Sequence, residues 1–262
     1  GEAYYTAAAV SDDGKVAAVA DITGILAVID VESGRVLGYW RAEQQRVEDL
    51  QFLPGDLLAA AGAIPAVHVW NWRTRQLAYS LDEPTNDVAA LVYDRLSDRL
   101  YAADRNGYVH RWQMGDRTAL PVWRAGAPLL ALAVSADGEQ VVAAGADARL
   151  FWWPSAAAAG SAAAPRSLAV RSPIRSLAFA ADGRLLAGAE NGELQLWDLP
   201  SRSAVTVDAH SGRWIKDIEV DGAARRAITV GDDGWLKQWL LTDEAIVQLA
   251  CSRTNDSLSA AE

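Results

Sequence analysis

Short apolar segments separated by turn residues recur along the whole chain. They are rich in Val, Ile, Leu and Ala, and their alternation of residue types is typical of half-buried β-strands. Several segments end at Asp-Gly, as in Asp13-Gly14, Asp137-Gly138 and Asp182-Gly183. Because Asp-Gly supplies the positive φ angle that tight hairpin turns require, the pattern predicts an all-β protein built from antiparallel hairpins.

One six-residue motif, which we call the repeat motif, occurs six times among these segments. A small residue opens it in most copies and a large residue, usually Trp, closes it; the clearest copies are residues 107–112, 192–197 and 234–239. The closing residues are Ile29, Trp70, Trp112, Trp153, Trp197 and Trp239. Consecutive copies lie 41 to 44 residues apart. A period of this length predicts a four-stranded unit repeated as the blades of a β-propeller.

Each repeat is predicted to contain four strands, which we name a to d in chain order. The repeat motif forms strand c. Strand b is expected at residues 16–20, 57–61, 99–103, 141–144, 185–189 and 227–230. Strand d is expected at residues 36–40, 77–81, 119–123, 168–171 and 204–207. The propeller would span residues 1–241, with repeats near 4–43, 44–84, 85–126, 127–171, 172–209 and 210–241.

Two segments depart from this pattern. Residues 155–165 are almost entirely Ala, Ser and Gly, which predicts a flexible surface loop between strands c and d of the fourth repeat. In the tail at 242–262, Thr242 or Asp243 suits a helix N-cap, and Ile246 and Leu249 recur at helical spacing. We expect a short C-terminal helix there, with a fourth strand of the last repeat as the alternative.

The charge balance bears on the class of partner. The formal net charge is -10, with 34 acidic and 24 basic residues and no dense Lys/Arg cluster. Such a chain repels nucleic acid and anionic lipid, so neither is expected as a partner. No apolar run approaches the roughly 20 residues that span a bilayer. Cys251 is the only cysteine, which excludes an internal disulfide and fits a cytoplasmic protein.

The last repeat resembles the WD40 repeat family. Residues 209–215 are similar to the Gly-His opening of that repeat, with Ala209 in place of Gly, and the fifth repeat ends in Trp197-Asp198. The resemblance implies a hydrogen-bonded relay in the last repeat. Its members would be His210, Thr229, Asp233 and Trp239. The other repeats lack this set, so we expect the relay in the last repeat alone.

The resemblance also implies a binding role. Partners of this family commonly dock on the face formed by the loops between strands d and a and between strands b and c. The residues that the resemblance places there include Tyr4, Arg46, Glu48, Asp87, Arg105, Arg175, Glu190, Trp214, Lys216 and Asp232. Trp and Arg often dominate interfaces, so Trp214 is either an exposed binding residue or a cap on strand a. We expect a non-catalytic domain that binds a protein, a peptide or another ligand.

Three further expectations concern the parent protein and rival functions. The tail resembles the segment that follows the propeller in large bacterial signalling proteins, and the chain begins at Gly1, so we expect a domain of a longer protein. One alternative is an autoinhibitory module that packs on its own effector domain. The other is a lactonase-like hydrolase, which needs several carboxylates around a metal in the central channel. Of the residues expected at the channel mouth only Glu48 is acidic.

Candidate metal ligands are few. His68 and His110 occupy the same position of strand c in successive repeats, which we interpret as an outward-facing site. A zinc centre needs three or four ligands, and no further His or Cys accompanies them. We therefore expect no catalytic residue, no metal and no cofactor.

Overall fold

The computed structural model describes residues 4–155, 164–221 and 226–241, and within them every regular element is a β-strand. The predicted C-terminal helix falls in residues 242–262, which lie outside the described residues, as does most of the predicted loop at 155–165. The chain divides into two compact units. The first comprises residues 1–132 and 157–165, the second residues 133–156 and 166–262, so that the division falls inside one strand, β13 (Leu129–Val134).

The first unit contains three antiparallel four-stranded sheets. Sheet 1 consists of β1 (Tyr5–Val10), β2 (Val16–Asp21), β3 (Ile25–Asp30) and β4 (Val36–Arg41). Sheet 2 consists of β5 (Val47–Leu53), β6 (Leu57–Gly62), β7 (Ile64–Asn71) and β8 (Gln76–Leu81). Sheet 3 consists of β9 (Val88–Asp94), β10 (Arg99–Asp104), β11 (Tyr108–Gln113) and β12 (Thr118–Arg124).

The second unit contains the remaining three sheets. Sheet 4 consists of β13, β14 (Gln140–Gly145), β15 (Arg149–Pro154) and β16 (Arg166–Ala169). Sheet 5 consists of β17 (Ile174–Phe179), β18 (Leu185–Ala189), β19 (Glu193–Asp198) and β20 (Ser203–Asp208). Sheet 6 consists of β21 (Ile215–Val220), β22 (Arg226–Gly231) and β23 (Leu236–Leu240).

In every sheet the strands are hydrogen-bonded in chain order, as hairpin connections require. The predicted positions of strand b are confirmed to within one residue. Strand d of the fourth repeat, predicted at 168–171, is two residues earlier, because Arg166 to Ala169 pair with β15. The prediction of four strands per repeat is confirmed for five sheets; sheet 6 has three strands in the described residues, since the chain after Leu241 lies outside them.

The structure explains both the first and the last residue of the repeat motif. Its opening glycines take positive φ angles, as at Gly107 (φ 86°), where a Cβ would lie 2.5 Å from the carbonyl oxygen of Ala127. Its closing Trp supplies apolar volume between neighbouring sheets: Trp112 is fully buried in a cluster with Val88 and Leu100. Only glycine fits the first position without strain, and a large side chain fills the last.

Small residues on strand b bring the sheets of each unit close together. In the first unit, Ala18 and Ala20 of sheet 1 pack with Leu50 and Leu58 of sheet 2. In the second unit, Ala227 of sheet 6 packs with Leu186 of sheet 5. Because Ala keeps the strands within contact distance, each sheet can bury large side chains from its neighbour.

Strand a carries a β-bulge near its first residue. In five sheets one residue of strand a has no partner on strand b, so the register skips it; these residues are Thr6, Glu48, Ala89, Arg175 and Lys216. A bulge bends the strand and turns the extra side chain in a new direction. Three of the residues proposed for binding therefore owe their direction to a bulge.

Candidate functional site

One backbone hydrogen bond recurs at the end of the sheets where strand a begins, which we call the entry end. The residue after strand b donates its N–H to the carbonyl of the residue before strand a. The pairs are Ile22 to Tyr4 (2.9 Å), Ala63 to Arg46 (3.0 Å), Arg105 to Asp87 (3.0 Å), Glu190 to Pro173 (2.9 Å) and Asp232 to Trp214 (2.9 Å). This bond holds the predicted binding residues of each repeat side by side.

In the first unit, three predicted residues form an ion cluster that we call the Glu48 fork. One carboxylate oxygen of Glu48 lies 3.0 Å from Arg46 Nη2, and the other lies 3.5 Å from Arg105 Nη2. Glu48 is largely buried, whereas both guanidinium groups retain solvent contact. The backbone carbonyl of Asp87 accepts the N–H of Arg105, and Tyr4 is exposed.

In the second unit, five predicted residues meet around one indole ring, which we call the Trp214 cluster. The Arg175 guanidinium lies 4.6 Å from the ring centroid, and the Lys216 ammonium lies 5.2 Å from it. Arg175 Nε donates to Glu190 at 2.7 Å, and Lys216 Nζ lies 3.2 Å from Asp232. Each cation thus contacts both an aromatic ring and a carboxylate, which restrains its rotamers.

The Trp214 cluster combines a fixed shape with accessible apolar surface. Trp214 is 39% exposed, so a large part of its ring is available to a partner. Two cations and two carboxylates surround it, so the rim of the cluster is polar and its net charge is zero. An aromatic residue inside a polar rim is the usual composition of the residues that dominate protein interfaces.

The predicted relay residues of sheet 6 form one continuous hydrogen-bonded chain. Trp239 Nε1 donates to Thr229 Oγ1 at 2.9 Å, and Thr229 Oγ1 lies 2.8 Å from His210 Nε2. His210 Nδ1 lies 2.8 Å from Asp233 Oδ1. When His210 is neutral, each group donates a hydrogen bond to the next one in the chain. The indole N–H donates to the Thr229 hydroxyl, the hydroxyl donates to His210 Nε2, and His210 Nδ1–H donates to the Asp233 carboxylate.

Asp233 is the charged end of this chain. Burial acts to raise the pKa of its carboxyl, but hydrogen bonds from His210 and from the Trp235 N–H outweigh burial and hold that pKa below its ordinary value. His210 and Thr229 are fully buried. The chain therefore joins the loop before strand a, strand b, the b–c turn and strand c through two fully buried groups and two partly buried ones.

The interpretation of His110 as an outward-facing residue is wrong. His110 is buried, and its Nε2 lies 3.0 Å from Asp104 Oδ2. The equivalent His68 is partly buried, and its Nδ1 lies 2.7 Å from Glu43 Oε1. The hydrogen bond to Glu43 raises the pKa of His68. Each histidine has its own carboxylate, because the strand-c position faces polar groups of the neighbouring turn.

Sequence reasoning also missed aspartates at the end of strand b. Asp104 Oδ1 accepts the backbone N–H groups of Asn106 and Tyr108, both at 2.9 Å. Asp21 does the same for Thr23 (2.8 Å) and Ile25 (3.1 Å). The sequence signal that could have identified them is an Asp three residues before the glycine that opens the repeat motif. Polar networks are therefore not confined to the last repeat, but these ones are connected differently.

Two other kinds of site are absent from the residues that the structure describes. No group of three or more His, Cys, Asp or Glu side chains in them is arranged to hold a metal ion. No helix long and apolar enough to cross a bilayer occurs in the same residues.

Comparisons with known proteins agree with this architecture. The family model described as "WD domain, G-beta repeat" matches residues 166–198, which hold β16 to β19. No curated protein sequence matches the chain. Among solved structures, a chain of "Crystal Structure of Mitotic Checkpoint Complex" is similar with a TM-score of 0.82 and 19% identity, over 92% of this chain and 76% of that one. Residues 166–198 thus match the WD40 repeat, and the similarity to a solved structure shows a β-propeller fold.

This fold is widespread. In all, 1836 chains of known structure match the chain, so the fold by itself does not identify a partner. Any functional assignment therefore depends on the side chains at the entry ends of the sheets.

Proposed function

We propose that this chain is a non-catalytic protein-interaction domain of a regulatory protein. It binds a protein or peptide through the entry ends of its sheets, where the Trp214 cluster and the Glu48 fork lie. The observation that carries the proposal is the Trp214 ring, which is 39% exposed and held between Arg175 and Lys216. A soluble domain rarely leaves such a ring accessible and ordered unless a partner covers it.

The energetics favour Trp214 as the centre of the contact. Burying the exposed part of an indole ring contributes about 1 to 2 kcal/mol from apolar area alone. Its neighbours are already held by ion pairs at 2.7 and 3.2 Å, so little rotamer entropy is lost when a partner binds. The Glu48 fork adds two partly exposed guanidinium groups that suit carboxylate or carbonyl acceptors on the partner.

The fold comparison supports the same class of role. The similar solved chain belongs to a structure whose title names a complex, so this fold is found in a multiprotein assembly. Our proposal includes a bacterial, cytoplasmic signalling protein as the parent, and a further domain of that parent as a partner. A tethered partner needs only modest affinity, because tethering gives it a high effective concentration.

The test compares two exposed tryptophans of the second unit. Trp214→Ala removes the proposed contact, and Trp235→Ala is the control, since Trp235 is 67% exposed and outside the cluster. Partners of the purified wild-type chain would be identified by quantitative mass spectrometry, then purified and titrated against each variant. We expect Trp214→Ala to weaken binding at least about tenfold and Trp235→Ala to leave it unchanged.

Two further variants extend the test to the charged groups. We expect Arg175→Ala and Arg46→Ala to weaken binding of the same partner by smaller factors, about three- to tenfold, with unchanged thermal unfolding. Unchanged affinity in the Trp214, Arg175 and Arg46 variants together would exclude the entry ends as the binding surface.

A further inference from the structure

Sheets 2 and 3 carry the same pair of side chains on strand c but supply them with different numbers of carboxylates. The pair is His68 and Trp70 in sheet 2, and His110 and Trp112 in sheet 3. The two members of each pair are two residues apart on one strand, so they lie on the same face of the sheet. A carboxylate in the loop before strand a can therefore be directed to either member.

Sheet 3 has two carboxylates for its pair. Asp104, the last residue of strand b, lies 3.0 Å from His110 Nε2 through its Oδ2. Glu83, the second residue after strand d of sheet 2, accepts the Trp112 indole N–H at 2.8 Å. The histidine and the tryptophan thus have a carboxylate each.

Sheet 2 has one carboxylate for the same pair. The last residue of its strand b is Gly62, where a Cβ would collide with a backbone carbonyl oxygen, so no carboxylate side chain fits there. Glu43 is the equivalent of Glu83, since each is the second residue after strand d, but it lies 2.7 Å from His68 Nδ1. The Trp70 Nε1 is buried and has no acceptor in the part of the chain that the structure describes.

The unpaired indole makes the position of Glu43 depend on the charge of His68. A buried N–H without an acceptor is unfavourable, whereas the partly exposed imidazole of His68 can bond to water. Protonated His68 holds Glu43 nevertheless, because an ion pair at 2.7 Å compensates the charge of this buried carboxylate. Neutral His68 lacks that advantage, so Trp70 then becomes the better donor.

The other charged groups around His68 leave this balance to Glu43. The hydrogen bond to Glu43 raises the pKa of His68, burial opposes the rise, and the charge of Asp82 adds to it. The residues opposite His68 on β6 and β8 are an alanine and a serine. Arg41 and Arg46, at the two ends of the loop that carries Glu43, are bonded to a backbone carbonyl and to another carboxylate.

We propose that Glu43 is a two-position switch controlled by the protonation of His68. Glu43 bonds to His68 when the imidazole is protonated. It bonds to the Trp70 indole N–H when the imidazole is neutral, in the arrangement that Glu83 has with Trp112.

The switch acts on a loop at the entry end. Glu43 belongs to the connection at residues 42–46, and Arg46 at the end of that connection is part of the Glu48 fork. The protonation of one histidine is thereby coupled to the segment that holds a predicted binding residue. An effect on a partner rests on the proposed function, but the switch itself does not, and both experiments below use the chain without a partner.

The first experiment follows the tryptophan indole N–H signals of the wild-type chain by NMR between about pH 5 and pH 9. The signals are assigned through contacts with neighbouring side chains, and the ring protons of His68 report its titration. We expect the Trp70 indole proton to move downfield as His68 loses its proton, because the indole gains an acceptor. Trp112 is the matched control, since Glu83 is already its acceptor, and its signal should not follow the His68 titration.

A substitution of the histidine separates the switch from a general effect of pH. In His68→Gln no proton is lost in this range at residue 68, so the Trp70 signal should no longer move with the midpoint seen in the wild type. Thermal unfolding checks that the variant is folded.

The second experiment measures the pKa of His68 in variants. Trp70 stabilises neutral His68, because it takes the carboxylate in that state, so Trp70→Phe should raise the pKa of His68 by about 0.5 or more. Glu43→Gln should lower the same pKa, since the ion pair is lost. Trp112→Phe, the matched control in sheet 3, should leave it unchanged.

A Trp70 signal that stays constant while His68 titrates would overturn the proposal. So would an unchanged pKa of His68 in folded Trp70→Phe, because a histidine that only pairs with Glu43 does not sense the indole N–H.

Discussion

Sheets 3 and 6 both surround the tryptophan of strand c with a histidine and a carboxylate, but they connect these groups differently. In sheet 6 the histidine, His210, precedes strand a, and the Trp239 N–H donates to Thr229 of strand b. In sheet 3 the histidine is on strand c itself: His110 pairs with Asp104. There the Trp112 N–H donates at 2.8 Å to Glu83, in the loop before strand a.

The difference shows which requirement is general. A buried indole N–H and a buried carboxylate need hydrogen-bond partners, but the partners can come from any neighbouring strand or turn. Sheet 6 satisfies both through one hydrogen-bonded chain whose central members, His210 and Thr229, are fully buried. Sheet 3 uses two separate pairs, one of which ends at exposed Glu83. We therefore expect the single chain of sheet 6 to be the more sensitive to substitution.

The largest effect is expected for His210→Ala. This change leaves Thr229 and Asp233 without their shared partner and opens a cavity at a fully buried site, which should reduce the free energy of unfolding by about 3 kcal/mol. Urea denaturation followed by Trp fluorescence measures it. Arg213→Ala, at a nearby exposed residue, is the control and should change stability by no more than about 0.5 kcal/mol.

Asp104→Ala should have the next largest effect, about 2 kcal/mol. The Asn106 and Tyr108 N–H groups and His110 all lose their acceptor, but the turn N–H groups can reach water. Asp104→Asn keeps one carbonyl acceptor, so it should reduce the free energy of unfolding by less than Asp104→Ala does. If Asp104→Ala reduces the free energy of unfolding by more than His210→Ala does, then sheet 3 is the more sensitive of the two sheets and our ranking is wrong.

Glu83→Leu should cost about 1 kcal/mol, because the Trp112 N–H loses its acceptor at a site near solvent. Glu83→Gln preserves an acceptor oxygen and should be closer to the wild type in the same denaturation assay. Equal losses for the Leu and Gln variants would show that the hydrogen bond to Trp112 contributes nothing.

The smallest effect concerns His68 and depends on pH. The hydrogen bond with Glu43 raises the pKa of His68 in the folded state, so its stabilisation is complete below the unfolded pKa and is lost as pH rises through the folded one. His68→Gln should therefore reduce stability by up to about 1 kcal/mol near pH 5.5 and by less near pH 8.5. A difference from the wild type that does not change with pH would contradict the pair's charged state.

The repeat and its strands could be read from the chain because they depend on local requirements. Asp-Gly turns, small residues on strand b and a large residue closing strand c recur at a constant spacing, and the strands lie where these residues predict them. The relay residues around His210 could be named because they occupy motif positions. Asp104 and His110 could not, since their partnership joins a strand end to a strand interior and matches no motif.

The entry ends show the same limit. The position of Trp214 before strand a was readable, but its contacts with Arg175 and Lys216 arise between two sheets. The side-chain directions of Glu48, Arg175 and Lys216 depend on β-bulges, which the residue types at these positions do not predict.

By itself, the sequence determined an all-β chain of repeated four-stranded units, because turn chemistry and strand periodicity act over a few residues. The tertiary structure decided which polar groups meet: the Trp214 cluster, the Glu48 fork and the His110–Asp104 pair. These contacts join residues far apart in the chain, and their energies depend on distance and burial, which exist only once the sheets have packed.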